Sequence, residues 1–165
     1  MMSAQQAVKV SYARFGEAAD AFQRARTCPL PVPDVVARLH EAIEASDLWV
    51  LHQIDPQMLL RNGGYAIGAA RQILFFHPRL MARLLEADPA ALLEAPLKFA
   101  VLELEAGSVM VRWIDPRGAF ARYAHPALAD LGGELAQICE AIVTAALGTD
   151  STAVEAASQS AATTT

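Results

Sequence analysis

Two histidines and a methionine near the middle of the chain could ligate a metal ion. His77 follows the apolar run at residues 73–76 and precedes Pro78, whose ring restricts the local backbone. Met81 lies four residues further on, where a helix would bring both side chains to one face, and His52 lies among apolar residues. Imidazole and thioether groups are typical ligands of soft metals and of haem iron. The alternative is that His77 only bonds the backbone at a helix start and that Met81 fills the core.

Arginines flank two predicted strand ends. Arg71, Arg79 and Arg83 flank His77 and Pro78, here called the histidine corner. Arg112 and Arg117 flank a later Asp-Pro pair. Guanidinium groups gathered at strand ends can hold a carboxylate or a phosphate. The alternative is that they pair with acidic side chains at the surface, where such pairs contribute little stability. The candidate ligand-binding residues are His77, Arg79, His52, Arg71, Arg112 and Asp115.

The sequence contains none of the common catalytic motifs. It has no GxGxxG, Walker, HExxH or GxSxG pattern. Ser11, Ser46 and Ser108 have no histidine nearby in the sequence. Cys139 follows Ile138 in a predicted helix, which favours burial over use as a nucleophile. We therefore expect a non-catalytic domain, and an unrecognised hydrolase is the alternative.

Composition and charge restrict the class of protein. A length of 165 residues fits one domain, and a hydrophobic content of 54% excludes general disorder. The formal net charge is −5. The chain therefore lacks the excess of positive charge that nucleic-acid binding requires, and we expect no nucleic-acid partner. The sequence shows neither a signal-peptide core nor an apolar run long enough to span a bilayer. We expect a cytoplasmic protein without membrane contact, in which Cys28 and Cys139 are buried thiols; whether they pair stays open.

Local patterns predict the elements that position these residues. A helix starts near Asp34, strands follow at residues 48–54 and 71–76, and a hairpin spans residues 97–114. The apolar seam of a long last helix is formed by Leu128, Leu131, Leu135, Ile138 and Ile142. This order predicts an α+β fold, with an antiparallel sheet of about four to five strands, helices packed on one face and a long C-terminal helix.

Composition also divides the chain into three parts. We expect residues 1–33 to form an N-terminal extension that ends in a proline cluster. Residues 34–148 would form the single domain. Residues 149–165 are rich in Ala, Ser and Thr, cannot bury enough apolar surface to offset their ordering entropy, and are predicted to be a disordered tail.

The order of four segments resembles a known family. The segments are residues 50–55, residues 73–80 with the sequence ILFFHPRL, residues 88–98, and residues 109–116 with the sequence VMVRWIDP. The region from 34 to 147 is similar to the family catalogued as domain of unknown function 302. The resemblance implies a TATA-box-binding-protein-like α+β fold without DNA binding, a homodimer, and no assigned activity. The family's corner carries Gly-Asn before its proline, whereas this chain has Phe76 and His77, so any binding chemistry there differs.

These observations together favour an uncharacterised, non-catalytic domain that binds a small ligand or a partner protein and works as a dimer. If it binds a small molecule, we expect the site to include His77 and Arg79, with His52 as a neighbour. The first alternative is a haem or metal protein that uses His77 with Met81 or His52. No recognised motif requires a cofactor, so haem or a soft metal stays open. An unrecognised hydrolase is the second alternative.

Overall fold

The structure, a computed structural model, describes residues 6–148 and 151–153. Along the chain the strands are β1 (Val8–Lys9), β2 (Gln23–Cys28), β3 (Trp49–Ile54), β4 (Tyr65–Ala66), β5 (Ala70–Phe76), β6 (Leu97–Glu103), β7 (Val109–Ile114) and β8 (Thr152–Ala153). Six of them form one antiparallel sheet in the spatial order β3-β5-β6-β7-β2-β8, and β1 pairs with β4 in parallel. The predicted antiparallel sheet is confirmed, and it is wider than four to five strands because β2 and the two-residue β8 join one edge.

Helical segments connect and cover the strands. They are α1 (Val32–Ala45), α2 (Pro56–Asn62), α3 (Pro78–Ala87), α4 (Pro116–Ala121), α5 (Pro126–Leu147) and two 3-10 helices at Glu17–Ala21 and Pro89–Glu94. The long C-terminal helix and the α+β class are therefore confirmed. Among the described residues, none of the helices has the length and apolarity needed to span a bilayer.

Five of these segments begin in the same way, with a proline at the first position and an Asp or His just before it. The preceding side chain accepts a hydrogen bond from a backbone N–H of the first turn in each case. Proline has no N–H to leave unpaired there, and the Asp or His satisfies one of the free donors. The five capping residues are Asp55, His77, Asp88, Asp115 and His125.

The core lies between one face of the sheet and the helices α1 and α5. Leu39 and Ile43 of α1 are fully buried, as are Phe75 of β5 and Phe99 of β6. The seam predicted for α5 is buried at Leu128, Leu131, Leu135 and Ile142. Ile138 is only partly buried against this core, and its neighbour Cys139 takes the deeper position. Cys28 and Cys139 are both buried free thiols.

The structure places strand β2 within residues that the sequence analysis assigned to an N-terminal extension. The segment looks polar because it contains Arg24 and Arg26. Those side chains form ion pairs with Asp115 and Glu140, at N–O distances of 3.0 and 3.1 Å. Helix α1 also begins before Asp34, at Val32.

Parts of the two predicted terminal segments cannot be compared with the structure. Residues 1–5, 149–150 and 154–165 lie outside the described residues. Within the predicted tail, Thr152 and Ala153 pair with Thr27 and Arg26 of β2. The division of the chain at residues 33 and 148 therefore stays a prediction.

Candidate functional site

The sheet is split between β6 and β7. Within residues 97–114, these strands pair at four positions, from Ala100 opposite Arg112 to Glu103 opposite Val109. Beyond them, the start of β6 pairs with β5, whereas the end of β7 pairs with β2. A cleft therefore opens between the two strands.

The cleft has the size and lining of a small-molecule site. Its volume is about 420 Å³, within the range of about 300–1,000 Å³ that is common for ligand pockets. Apolar and aromatic side chains dominate its wall, and the largest are Phe75, Leu93, Leu97, Trp113, Ile114 and Phe120. Leu93 is 90% exposed and lies at the rim. The polar side chains of the wall are Gln23, Gln72, Glu94, Lys98 and Arg112.

Arg112 is the buried charge of this site. Its residue is 8% exposed, and it lies on the sheet face opposite the core because its neighbours Val111 and Trp113 point into the core. Its Nη1 donates to Gln23 Oε1 at 3.1 Å and to Asp20 Oδ1 at 3.3 Å. Its Nε is buried and has no hydrogen-bond partner among the described residues.

An aromatic ring also lies against this guanidinium. The Arg112 Cζ is 4.7 Å from the centroid of the Phe15 ring, a cation–π distance. Phe15 and Asp20 precede β2 in the chain, so the residues before the sheet partly cover its central cation. A charged donor that is buried without a partner costs about 1–3 kcal/mol or more. An acceptor for the Arg112 Nε would therefore be stabilising.

Glu94, the acidic side chain of the cleft wall, already has two hydrogen-bond donors. Glu94 Oε1 accepts from Tyr123 Oη at 2.8 Å and from Arg122 Nη2 at 2.8 Å. The hydrogen bond to Glu94 raises the pKa of Tyr123. Glu94 is therefore held in the cleft wall by these two hydrogen bonds.

Cys139 lines the cleft from α5 as an apolar group. Burial, with a smaller contribution from Glu140, raises the pKa of its thiol to about 12. Because the thiolate is the nucleophilic form, a thiol with this pKa is unreactive at neutral pH.

The histidine corner lies at the other side of β5. His77 Nδ1 accepts from the Arg79 backbone N–H at 3.1 Å, and its ring meets the Trp49 ring edge-on at 5.1 Å between centroids. Arg79 Nη1 donates to the backbone and side-chain oxygens of Asp47 at 3.0 and 2.7 Å. These contacts fix the start of α3.

The other predicted metal ligands are separated by the sheet and its packing. His52 is exposed and pairs with Leu74, after a bulge that follows Val50. Since Val50 pairs with the core residue Phe75, the bulge puts His52 on the face opposite to Val50, although strict alternation predicts the same face. Met81 packs partly buried against the core. The described residues contain no group of three or more His, Cys, Asp or Glu side chains placed to hold a metal ion.

The remaining candidates serve local contacts. Arg71 Nη1 donates to Asp55 Oδ1 at 2.9 Å, and it lies on β5 about 20 Å from His77, since a strand rises about 3.3 Å per residue. Asp115 caps α4 and pairs with Arg24. Burial would raise the pKa of Asp115, but hydrogen bonds from the Arg117 backbone and the Arg24 side chain hold it below its usual value.

Of the six predicted ligand-binding residues, the structure puts Arg112 in the cleft wall. Sequence reasoning missed Phe15, Asp20, Gln23 and Lys98, which come from three separate segments. The sequence of β7 does indicate Arg112, because this one arginine interrupts the apolar run VMVRWI. A lone charge inside an apolar strand needs a partner, and this requirement makes Arg112 a candidate site residue.

Comparisons with known proteins identify the family. A family model described as "Domain of unknown function DUF302" matches residues 24–146, which includes β2. The crystal structure of an uncharacterized conserved protein DUF302 from Bacillus stearothermophilus is similar, with a TM-score of 0.71 and 17% sequence identity. The match covers 76% of this chain and 98% of that chain, and at this identity it concerns the fold. No curated protein matches the chain. The relation to the TATA-box-binding-protein fold stays a prediction.

Proposed function

This chain belongs to the DUF302 family, and we propose that it is a non-catalytic domain that binds a small, largely apolar anion in the cleft between β6 and β7. One observation carries the proposal. Arg112 lies in the wall of an apolar cleft of about 420 Å³, buried and with its Nε unpaired among the described residues.

The energetics of the cleft favour such a ligand. An anionic oxygen on the Arg112 guanidinium would form a charge-assisted hydrogen bond, which contributes about 1.5–3 kcal/mol. Contact with Leu93, Ile114 and Leu97, the exposed or part-buried apolar side chains of the wall, would remove apolar surface from water, at about 25 cal/mol per Å².

The acid–base groups of the cleft support binding rather than catalysis. Glu94 is engaged by Tyr123 and Arg122, and Cys139 stays protonated at neutral pH. Neither is poised as a base or a nucleophile, as an enzyme of general acid–base or covalent type would require.

A dye titration tests the site. The probe is 1-anilinonaphthalene-8-sulfonate, a small apolar anion, added to the full chain and followed by fluorescence. The variant Arg112→Gln should bind it about tenfold more weakly, because one charge-assisted hydrogen bond is lost. The control Arg83→Gln removes the same charge from α3, where Arg83 pairs with Glu134 at the surface, and should bind within about twofold of the unmodified chain.

Two further measurements separate this proposal from its alternatives. Equal dye affinity in a folded Arg112→Gln variant would refute the site, with the melting temperature as the check on folding. Native mass spectrometry of the purified protein should show a retained small molecule and its mass. A visible absorption band of haem, lost on His77→Ala or Met81→Ala, would instead favour the haem protein.

We further propose that the chain forms a homodimer through strand β3. This strand ends the sheet on one side, and its Trp49 and Leu51 are about half exposed at 54% and 48%. An uncovered edge strand with apolar side chains is a surface that a second copy can pair with. Light scattering at micromolar concentration should give the mass of a dimer, and Leu51→Lys should give a monomer. A monomer mass for the unmodified chain would contradict the proposal.

The two buried free thiols support a reducing compartment, and we propose the cytoplasm. Cys28 and Cys139 are unpaired in the fold, and free buried thiols are typical of compartments that keep cysteines reduced. Fractionation of the host cell, followed by detection of the chain in the cytoplasmic fraction, tests this location.

A further inference from the structure

We propose that the anionic group of the ligand is a carboxylate, which replaces the carboxylate of Asp20 on Arg112. The inference rests on the proposed function and names the ligand class for the same cleft. Residues 15–22, here called the strap, would leave Arg112 when the ligand binds. The strap is thus an internal competitor for the site.

The strap already shows the contact that the ligand would make. Asp20 Oδ1 lies 3.3 Å from Arg112 Nη1, a long distance for a charge-assisted hydrogen bond, which is usually about 2.7–2.9 Å. It engages one nitrogen and leaves Nε unpaired. A free carboxylate can bind two nitrogens of a guanidinium side by side, here Nε and Nη2, so once the strap has left, a ligand can improve on the single contact of Asp20.

Few contacts hold the strap on the sheet. Its 3-10 helix, Glu17–Ala21, buries none of its residues, and the capping residue Gly16 has no side chain to bond the first turn. Phe15 and Phe22 are both exposed over a large part of their surface. The Phe22 carbonyl oxygen accepts a hydrogen bond from the Asp115 backbone N–H at 2.9 Å, which fixes only the end of the strap. Its release from Arg112 would therefore expose little apolar surface beyond that of the Phe15 ring.

Charge balance favours a carboxylate over a phosphate. The charged side chains that line the cleft or contact Arg112 are Arg112, Lys98, Glu94 and Asp20, two of each sign. Exchange of Asp20 for another single carboxylate conserves this balance around Arg112. A phosphate monoester carries about −1.5 to −2 at pH 7, so it would bring more negative charge to Arg112 than the single charge of Asp20 that it replaces.

Calorimetry with three matched probes tests the ligand class. Octanoate, octyl phosphate and 1-octanol share one apolar chain and differ in the head group, and each is titrated into the full chain. Octanoate should bind about tenfold more tightly than either of the others, the difference expected from one charge-assisted contact. Tighter binding of octyl phosphate, or equal binding of 1-octanol, would overturn the carboxylate assignment.

A pair of strap variants tests the competition. Asp20→Asn removes the competing charge and should bind octanoate about five- to tenfold more tightly. The control Glu17→Gln makes the same charge change on the same 3-10 helix, at an exposed side chain, and should stay within about twofold of the unmodified chain. The Phe22 amide donates to the Ala19 carbonyl oxygen and closes the 3-10 turn that carries Asp20. Octanoate should speed hydrogen exchange at this amide, because the turn loses its contact with Arg112.

The outcomes separate the two proposals. If octanoate binds the unmodified chain but Asp20→Asn has no effect and the Phe22 amide stays protected, the strap inference is wrong and binding in the cleft stands. If the dye and all three probes fail to bind the unmodified chain and Asp20→Asn alike, the proposed function itself is wrong. Binding of octanoate by Asp20→Asn alone supports both.

Discussion

Gly132 provides a sharp test of how α4 packs on α5. A Cβ atom at this position would lie 2.9 Å from the Pro116 carbonyl oxygen and 3.0 Å from the Phe120 Cβ. Both distances are shorter than ordinary contacts, so Gly132→Ala must push α4 away from α5. The adjacent Gly133 has no such neighbour within 4 Å and lies in the same helix, which makes Gly133→Ala a matched control.

The two substitutions should change the free energy of unfolding in opposite directions. In a helix interior, Gly→Ala stabilises by about 0.5–1 kcal/mol because the unfolded chain loses freedom, and Gly133→Ala should show this gain. Gly132→Ala has the same gain, but overpacking against Pro116 and Phe120 costs about 1–3 kcal/mol. The free energies of unfolding should therefore differ by about 1–3 kcal/mol between the variants.

Urea denaturation followed by circular dichroism measures this difference. With a slope of about 2 kcal/mol per molar urea, the two midpoints should separate by roughly 0.5–1.5 M. Because Pro116 and Phe120 also line the cleft, Gly132→Ala should weaken dye binding while Gly133→Ala should not. Equal stabilisation by both substitutions would refute the close contact between α4 and α5.

Three other changes test the core, the cleft and a helix start. Leu135→Ala should cost about 2–5 kcal/mol in the free energy of unfolding, since Leu135 is fully buried in α5; a cost below about 0.5 kcal/mol would mean that the seam faces solvent. The pKa of Cys139 is raised from 9.0 to about 12, so the folded state holds its proton longer than the unfolded state, and stability should fall as the pH rises from 9 towards 12. Cys139→Ala should weaken that decline in pH-dependent denaturation. Asp115→Ala should cost about 1–2 kcal/mol by removing a helix cap, and since the pKa of Asp115 is lowered, the difference from the unmodified chain should shrink as the pH falls through that pKa.

Local patterns explain what could be predicted from the sequence. The hairpin of β6 and β7 and the seam of α5 depend on short-range periodicity, so both are confirmed. Strand β2 was missed because its arginines find their partners 91 and 114 residues away, and no local pattern shows that distance. The cleft depends on where two strands stop pairing, which is a property of the whole sheet.

The histidine corner shows the limit of reasoning from residue type. A histidine before a proline at a strand end fits a ligand site and a helix start equally well. The structure shows that His77 and His125 cap α3 and α5 in the same manner. The repeated Asp-Pro and His-Pro pairs were visible in the sequence, and their recurrence was the sign that this pair begins helices.

The four-position ladder between β6 and β7 has a mechanical consequence. It divides the sheet into two panels, β3-β5-β6 and β7-β2-β8, joined at the hairpin end. Each panel would keep its own hydrogen bonds if it tilted about that ladder, and such a tilt would widen or narrow the cleft at its open end. A cleft placed between two such panels would accommodate ligands of different thickness while the backbone bonds within each panel stay intact.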